Sequence, residues 1–411
     1  MSVDLPPQLN LPPEAQYGPA FDVARATDAY VATIPVAERA KSDAYFEGGY
    51  WIAAWAALIT VALAWLLLRT RFSARLRDFA ERRSRFRFLQ VFIYAVGYFL
   101  VFALLMLPWT LYTAYFREHQ YGMSNQDLGA FLGEWGIALA LFLVFGSLAI
   151  AGLYAIVRRV RERWVYWATG ATAIFMLFVI LVEPVFVAPL FNDYHSLPAG
   201  EVRQSILALA EESAIPAADV FWFDASRQTK RVSANVSGLA GTTRIALNDN
   251  LLNGTTLPEI RAVMAHEMGH YVLNHSLWLT LGLTLTLGFG YWVVNRLFGY
   301  FHRRHGERWG VRDLADPAGL PLALAILTVV MLLLTPVTNS IVRFAEQQAD
   351  AFGLDAAREP HGFASIAMRL APYRKIEPSP LEEMYFFDHP SGRARVERAM
   401  RWLAEHPPHS P

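Results

Sequence analysis

The sequence predicts an α-helical multispan membrane protein with about six transmembrane helices and an α+β domain split between two polar parts of the chain. Hydrophobic residues make up 54% of the 411 residues and charged residues only 18%, a balance too apolar for an ordinary water-soluble protein. Six long apolar stretches account for this composition, and the polar segments between and after them carry helix and strand signals. The formal net charge is zero, so no nucleic-acid partner is expected.

The first part of the chain, 1–48, is polar and contains several prolines. It lacks a basic start followed by an apolar run, and therefore does not predict a cleavable signal peptide. The chain has no cysteine, so any metal site has to use histidine and carboxylate ligands.

The apolar stretches match the thickness of a bilayer. Each holds about 19–24 mostly apolar residues, enough to cross ~30 Å of hydrocarbon at ~1.5 Å per residue. Buried core helices of a soluble protein are the alternative, but six in one chain disfavour it. The stretches form a four-span region within 49–187 and a two-span hairpin at 276–338. The predicted spans are 50–68, 91–113, 136–157, 164–187, 276–294 and 320–338.

Arginine-rich connections predict which side the helix ends face. The segment 69–87 contains eight arginines, and 158–163 and 296–312 are also rich in arginine. Because such connections stay in the cytoplasm, this end of the helices is predicted to be cytoplasmic in a bacterial inner membrane or an equivalent one. The polar segment 188–275 would then face the exoplasmic side.

The segment 188–275 is predicted to form the first half of the α+β domain. A helix is expected near 200–214, and the turn-rich residues 237–241 predict a hairpin link. Strands are expected near 220–223, 231–236 and 243–247.

Residues 266–270 read His-Glu-Met-Gly-His. On a helix, His266 and His270 lie one turn apart on one face, so both imidazoles can bind a single zinc ion. Glu267 is then placed to take a proton from a water at that ion. Thr256 and Glu259 predict a capping box that begins this helix. A solvated surface helix is the alternative, whereas the pattern predicts a zinc hydrolase that cleaves peptide bonds.

The remaining part, 339–411, is predicted to complete the site, because a catalytic zinc needs three protein ligands and an open position. Asn339, Arg343, Glu346 and Asp350 are spaced so that they lie on one stripe of a helix. We assign Glu346 as the third ligand of one zinc ion per chain. Asp350 is expected to hold a ligand imidazole, and Arg343 to steady a carboxylate. A solvent-exposed ladder of ion pairs is the alternative.

With these motifs, the chain resembles the integral-membrane zinc CAAX prenyl endopeptidases, the sterile-type a-factor-converting proteases, and their bacterial membrane relatives. The segment from His266 to His275 is similar to the family's HExGHxxxxH, and that from Asn339 to Asp350 to its NxxxRxxExxAD. Further similar segments are 183–192, 197–201, 233–235 and His389-Pro390 with Arg395. The resemblance extends over about 51–398.

The resemblance implies a helical membrane chamber, closed at one mouth by a zincin-like α+β domain. It implies zinc on the two histidines and Glu346, with Glu267 as the base. It also implies that Asn235 and His389 lie near the substrate, and that Arg395 supports that region. His275 is either a hydrogen-bonded cap of the zinc helix or a contact to substrate.

The implied partners are the lipid bilayer and a peptide or protein substrate, for which a lipidated C-terminus is one option. Eukaryotic members have seven spans against six here, and family members are expected to face the cytosol, opposite to the arginine prediction. A quality-control zinc protease, and a non-enzymatic membrane scaffold or pore, are the alternatives.

Overall fold

Long helices form the first part of the molecule. The computed structural model describes residues 9–238 and 243–408. Its first seven α-helices are α1 (Val23–Ala32), α2 (Val36–Arg69), α3 (Phe72–Arg83), α4 (Arg87–Thr110), α5 (Arg117–Tyr121), α6 (Leu128–Val160) and α7 (Trp164–Val182). A π-helical segment joins α4 to α5, so 87–121 forms one continuous apolar helix.

Helices α6 and α7 form a hairpin, although the apolar helical stretch Leu128–Leu190 is 63 residues long. At the end of α6, the Arg158 guanidinium donates to the carbonyl of Ala315. At the start of α7, the Trp164 indole donates to Asn295. Met176, farther along α7, accepts from Thr284. Helix α7 therefore runs antiparallel to α6 and packs beside the helix that begins at residue 275. The stretch Leu128–Leu190 thus supplies two spans.

The first half of the α+β domain contains a small mixed sheet. Its elements are β1 (Tyr194–Ser196), α8 (Glu201–Glu212), β2 (Val220–Phe223), β3 (Ala234–Ser237), β4 (Arg244–Asn248), α9 (Asp249–Gly254) and α10 (Leu257–Val272). The strand order is β1-β2-β4-β3, with β2 parallel to β4 and the other pairs antiparallel. Strand β3 is therefore an edge strand. Most of the predicted hairpin link lies in 239–242, outside the described residues.

The second half of the chain begins with a long membrane helix. Its elements are α11 (His275–Trp309), α12 (Leu320–Leu333), α13 (Thr335–Ala357), α14 (Pro360–Arg369), α15 (Pro380–Phe386) and α16 (Gly392–Glu405). The predicted span 320–338 is not one straight helix, because α12 ends at Leu333 and α13 leaves at 57°. Pro336 lies in the first turn of α13, where a proline is tolerated but cannot continue a preceding helix.

Two helices extend beyond their predicted spans. Helix α2 begins 14 residues before position 50, at Val36. Helix α11 ends only at Trp309, and the next residue, Gly310, has a φ of +71°, the left-handed conformation common after a helix C-terminus. The arginines of 296–308 are therefore helical rather than in a loop, because arginine is a good helix former and no proline interrupts α11.

The arginine-rich segments meet at one end of the membrane helices. Arg71 donates to the carbonyls of Glu307 and Arg308, and Arg158 donates to the carbonyl of Arg87. His275 begins α11, and 35 residues of helix span ~50 Å. The arginine-rich end and the end that carries α10 are therefore opposite.

The N-terminal segment contributes to the C-terminal half of the α+β domain. Tyr30 and Val31 of α1 share a buried cluster with Val396 and Met400 of α16 and Phe363 of α14. This apolar contact fixes α1 over the helices that follow α13, so the described part of 1–48 covers the domain.

Candidate metal centre

Helix α10 begins with the predicted capping box. The backbone N–H of Thr256 donates to Oε2 of Glu259 at 2.7 Å. Glu259 is fully buried, and its Oε1 also accepts from Ser365 and Arg369. These contacts fix the first turn of α10, and with it the direction in which the later histidines point.

Two glycines let α10 and α13 approach closely. A Cβ added at Gly269 would lie 3.1 Å from Cα of Ala349, and one added at Gly353 would lie 3.0 Å from the backbone N of His266. Larger residues would push the helices apart. The short separation brings Glu346, on α13, to the histidines of α10.

The two predicted histidine ligands and Glu346 converge. Nε2 of His266 lies 3.2 Å from Nε2 of His270. Oε2 of Glu346 lies 3.3 Å from Nε2 of His266, and its Oε1 lies 3.3 Å from Nε2 of His270. Ligand atoms at 2.0–2.1 Å from a tetrahedral zinc ion are about 3.3 Å apart, so the three side chains fit one.

The charged and hydrogen-bonding groups of this cluster also favour the binding of a cation. Oδ1 of Asp350 lies 2.9 Å from Nδ1 of His266, which favours a proton on Nδ1 and leaves Nε2 as an acceptor. Nε2 then faces a carboxylate oxygen of Glu346, so a second proton or a cation has to lie between the two atoms. Burial lowers the pKa of His266, but the Asp350 and Glu346 carboxylates outweigh burial and raise it to about 9. The same carboxylates would attract a metal cation.

Arg395 lies behind the ligands. Its guanidinium contacts Oε2 of Glu346 at 3.1 Å and Oδ1 of Asp350 at 3.0 Å. Asp350 is fully buried and Arg395 is 9% exposed. Arg395, predicted to support the substrate region, therefore contacts the carboxylates of the metal cluster.

His389 reaches the cluster from the segment after α15. Its Nε2 lies 3.2 Å from Oε2 of Glu346, and its Nδ1 lies 2.8 Å from Asp388. The Arg343 guanidinium was expected to steady a carboxylate, but it donates instead to the carbonyls of Glu383 and Phe387. This contact ties α13 to the segment that leads to His389.

Asn339 and His275 lie on different sides of the three ligands, and only His275 contacts one of them. Asn339 donates to the carbonyl of Tyr385, next to the carbonyls held by Arg343. Nδ1 of His275 lies 2.9 Å from Nδ1 of His270, and its Nε2 lies 3.2 Å from Gln348. His275 thus contacts a predicted ligand on the side away from Glu346.

A cavity of about 410 Å³ opens beside the cluster. It is lined by Glu267, His266 and His389, and on another side by the residues that lead into β3. Burial raises the pKa of Glu267, while the two histidines oppose this. Asn235 lies on edge strand β3, and its side-chain oxygen is buried without a hydrogen-bond partner in the described chain.

The sequence matches two family models. Residues 196–403, half of the chain, match peptidase family M48. Residues 24–193 match a model described as CAAX prenyl protease N-terminal, five membrane helices. The chain belongs to peptidase family M48.

Similar proteins agree with this membership. An uncharacterized metalloprotease of Bacillus subtilis (strain 168), YhfN, is 29% identical over 349 residues, which cover 83% of this chain and 81% of that protein. A CAAX prenyl protease 1 homolog of Oryza sativa subsp. japonica is 27% identical over 69% of this chain and 67% of that protein. The crystal structure of S. mikatae Ste24p has a TM-score of 0.73 and 21% identity, covers 90% of this chain and 89% of that chain, and shares the fold.

These comparisons confirm the predicted family and the multispan helical fold with a small mixed sheet in its catalytic domain. This M48 member is an integral-membrane metalloprotease, in a family whose metal is usually zinc. Neither a scaffold or pore nor a quality-control protease is favoured. The amino-terminal model has five membrane helices, whereas four spans were predicted for the matched region.

Several residues at this M48 site were not predicted from the sequence. Gln348 and Asp388 each contact a histidine of the cluster, and Arg374 lines the cavity. Asp388 directly precedes His389, so adjacency to a predicted residue was its one signal. Arg374 lies in a short connection between helices that has no periodic pattern, so the spacing of residues in the sequence does not predict that Arg374 lies at the site.

Proposed function

We propose that His266, His270 and Glu346 hold one zinc ion per chain, and that Glu267 is the general base of peptide-bond hydrolysis. The observation that supports this most directly is the convergence of three ligand atoms, all within 4.8 Å of one another, from two helices far apart in sequence. Glu267 borders the cavity at the same point.

A zinc ion held there would lower the pKa of a coordinated water toward ~7 and polarise the scissile carbonyl. Glu267 takes a proton from the attacking water and passes it to the leaving amine. Burial raises the pKa of Glu267, which makes its carboxylate a stronger base.

The surrounding residues have positioning and binding roles in this proposal. Asp350 orients His266 through Nδ1, and Arg395 holds the Glu346 and Asp350 carboxylates in place. His389 donates a hydrogen bond toward the substrate carbonyl. Asn235, on the edge strand, accepts a substrate N–H, because its side-chain oxygen has no hydrogen-bond partner among the described residues.

We further propose that the substrate carries a lipid near its C-terminus. Several relatives of this chain are named CAAX prenyl proteases. A cavity of about 920 Å³ lies between α11 and α13, and Trp278, Ile341 and Phe344 give it apolar walls. His275 and Gln348 also line it, so this cavity borders the metal cluster on the side of His275.

Metal content tests the ligand set. The full chain, purified in detergent, is expected to bind one zinc, and Glu346→Gln should lower the bound zinc because a neutral amide is a poor ligand. Glu212→Gln, on the exposed face of α8, is the matched control. Unchanged zinc in Glu346→Gln would place the third ligand elsewhere.

Paired peptides test the lipid. The same peptide is assayed with and without an isoprenyl group on one cysteine, in the wild type and in Phe344→Ser. The isoprenyl group should lower KM in the wild type, and Phe344→Ser should reduce that difference. Equal KM values for the two peptides would reject the lipid while leaving the hydrolysis mechanism intact.

A further inference from the structure

The cavity beside the metal cluster contains an arginine with no ionic partner in the described chain. Arg374 lines it together with Glu267 and His389. The two other arginines there have ionic partners: Arg395 contacts two carboxylates, and Arg231 contacts Glu118. Asp388 also lines the cavity, but its carboxylate contacts Nδ1 of His389 at 2.8 Å. Arg374 is thus a largely buried guanidinium that is available to an anion.

The sheet sets the direction in which a peptide would run. Strand β3 pairs with β4 on one side, and its other edge is unpaired within the described sheet. A peptide that adds to this edge gains backbone hydrogen bonds, and antiparallel pairing is the more stable arrangement. In that direction, the C-terminal end of the peptide lies beside the residues at the start of β3.

Arg374 lies at that end. Val232, Ser233 and Ala234, at the start of β3, line the same cavity as Arg374. The guanidinium carbon of Arg231 lies 5.6 Å from the ring centre of Tyr373, the residue before Arg374. Arg374 therefore lies at the end of β3 beside which the C-terminal end of an antiparallel peptide would lie.

The space between Glu267 and Arg374 is small and partly apolar. Phe363, Ile366 and Leu370 of the α14 region form one wall. The volume of about 410 Å³ lies near the low end of the ~300–1,000 Å³ typical of small-ligand pockets, so it fits only a short peptide fragment. Such a fragment would have apolar side chains.

We propose that Arg374 binds the C-terminal carboxylate of the substrate, which lies antiparallel to β3 and is cleaved a few residues before its end. This inference rests on the proposed metal-dependent hydrolysis at Glu267. A planar guanidinium can hold both carboxylate oxygens, which is why arginine suits this role. The carboxylate then sets the cleavage position by its distance from the cluster.

Matched peptides test this directly. A fluorescent peptide with an apolar C-terminal sequence is made as the free acid and as the C-terminal amide, and kcat/KM is measured with the full-length enzyme. The wild type should prefer the acid by about 10- to 100-fold, as expected for a hydrogen bond to a charged group. Arg374→Gln should remove most of this preference by slowing acid cleavage, and Arg374→Lys should restore part of it.

Arg401→Gln is the control, because Arg401 lies on the exposed face of α16 and pairs only with Glu397 within the described residues. It should keep the wild-type preference. An equal kcat/KM for acid and amide in the wild type would overturn the proposal. An equal loss on both peptides in Arg374→Gln would also overturn it, because it would show a general structural role.

Binding to the Glu267→Gln variant provides a second readout. Zinc-loaded Glu267→Gln should bind the acid more tightly than the amide, and adding Arg374→Gln should abolish the difference. Equal affinities would reject the role of Arg374. Full cleavage by Glu267→Gln would instead reject the hydrolysis mechanism, so the two failures are distinguishable.

Discussion

Two buried polar clusters lie at opposite ends of the membrane helices, and they differ in how their charges are matched. At the arginine-rich end, Arg77 donates to Asp316, to Asp78 and to the carbonyl of Gly310. Each of these contacts joins a donor to an acceptor. At the other end, ring nitrogens of His266 and His270 face each other and the Glu346 carboxylate, and only an added proton or a bound cation can match these groups.

The difference shows that buried charge by itself does not indicate function. A matched cluster such as that of Arg77 stabilises the fold. A cluster whose groups lack complementary partners is stable only when something else binds there. Within the described residues, the side-chain oxygen of Asn235 lacks a hydrogen-bond partner and Arg374 lacks an ionic partner, and both lie at the same end as the metal cluster.

The largest expected effect comes from the base. Glu267→Gln should lower kcat by about 100- to 10,000-fold, because it removes general-base catalysis. Zinc content and melting temperature should stay at wild-type values, as they should in the control Glu212→Gln. Substantial turnover by Glu267→Gln would mean that the unmatched cluster does not act through this residue.

Breaking the matched cluster should affect stability and not chemistry. Arg77→Met leaves Asp316 buried without its cation, which should cost about 3–5 kcal/mol of unfolding free energy. Thermal melting in detergent measures the loss, and Arg77→Lys should recover part of it. Zinc content per folded molecule should not change; a loss of zinc with retained stability would contradict the comparison.

The residue that orients a ligand should have an intermediate effect. Asp350→Asn should weaken zinc affinity by about 10- to 100-fold, because the amide no longer favours a proton on Nδ1 of His266. Competition with a chelator measures the affinity, and excess zinc should restore activity. Unchanged affinity would show that Asp350 is only part of the packing.

A surface ion pair should have the smallest effect. The pKa of Asp219 is lowered by its hydrogen bonds from Ser196, Arg203 and the backbone of Val220. The stabilisation is present above the unfolded pKa of about 3.9 and is lost as pH falls through the lower folded value. Asp219→Asn should cost under about 1 kcal/mol at pH 7. The substitution should also make the unfolding free energy less dependent on pH in the acid range. A loss of unfolding free energy larger than this would contradict the description of Asp219 as part of a surface ion pair.

Local spacing was enough to predict the parts of the structure that depend on one helix. The four-residue spacing of His266 and His270, and the capping box of Thr256 and Glu259, follow from helix geometry alone. The stripe of Asn339, Arg343, Glu346 and Asp350 was also visible in sequence. The roles within that stripe depended on tertiary contacts, because Arg343 faces backbone carbonyls while Glu346 faces the histidines.

Features that depend on distant contacts were not predictable. Strand β1 has only three residues and forms through pairing with β2. The bend after Leu333 carries α13 against α10, and no spacing in sequence specifies its angle of 57°. Arg374 is significant only because the cavity surrounds it. The site residues remain predictions that the variants described above can test.

The placement of Glu346 after the hairpin of α11 and α12 has a consequence for biosynthesis. A ribosome completes the two histidines before the hairpin has been made, so the nascent chain at that stage offers only two of the three proposed ligands. The hairpin must also cross the bilayer and return, or the carboxylate would emerge in the wrong compartment. Correct insertion of this pair by the translocation machinery would therefore be a precondition for a working protease, and misinserted copies would be inactive.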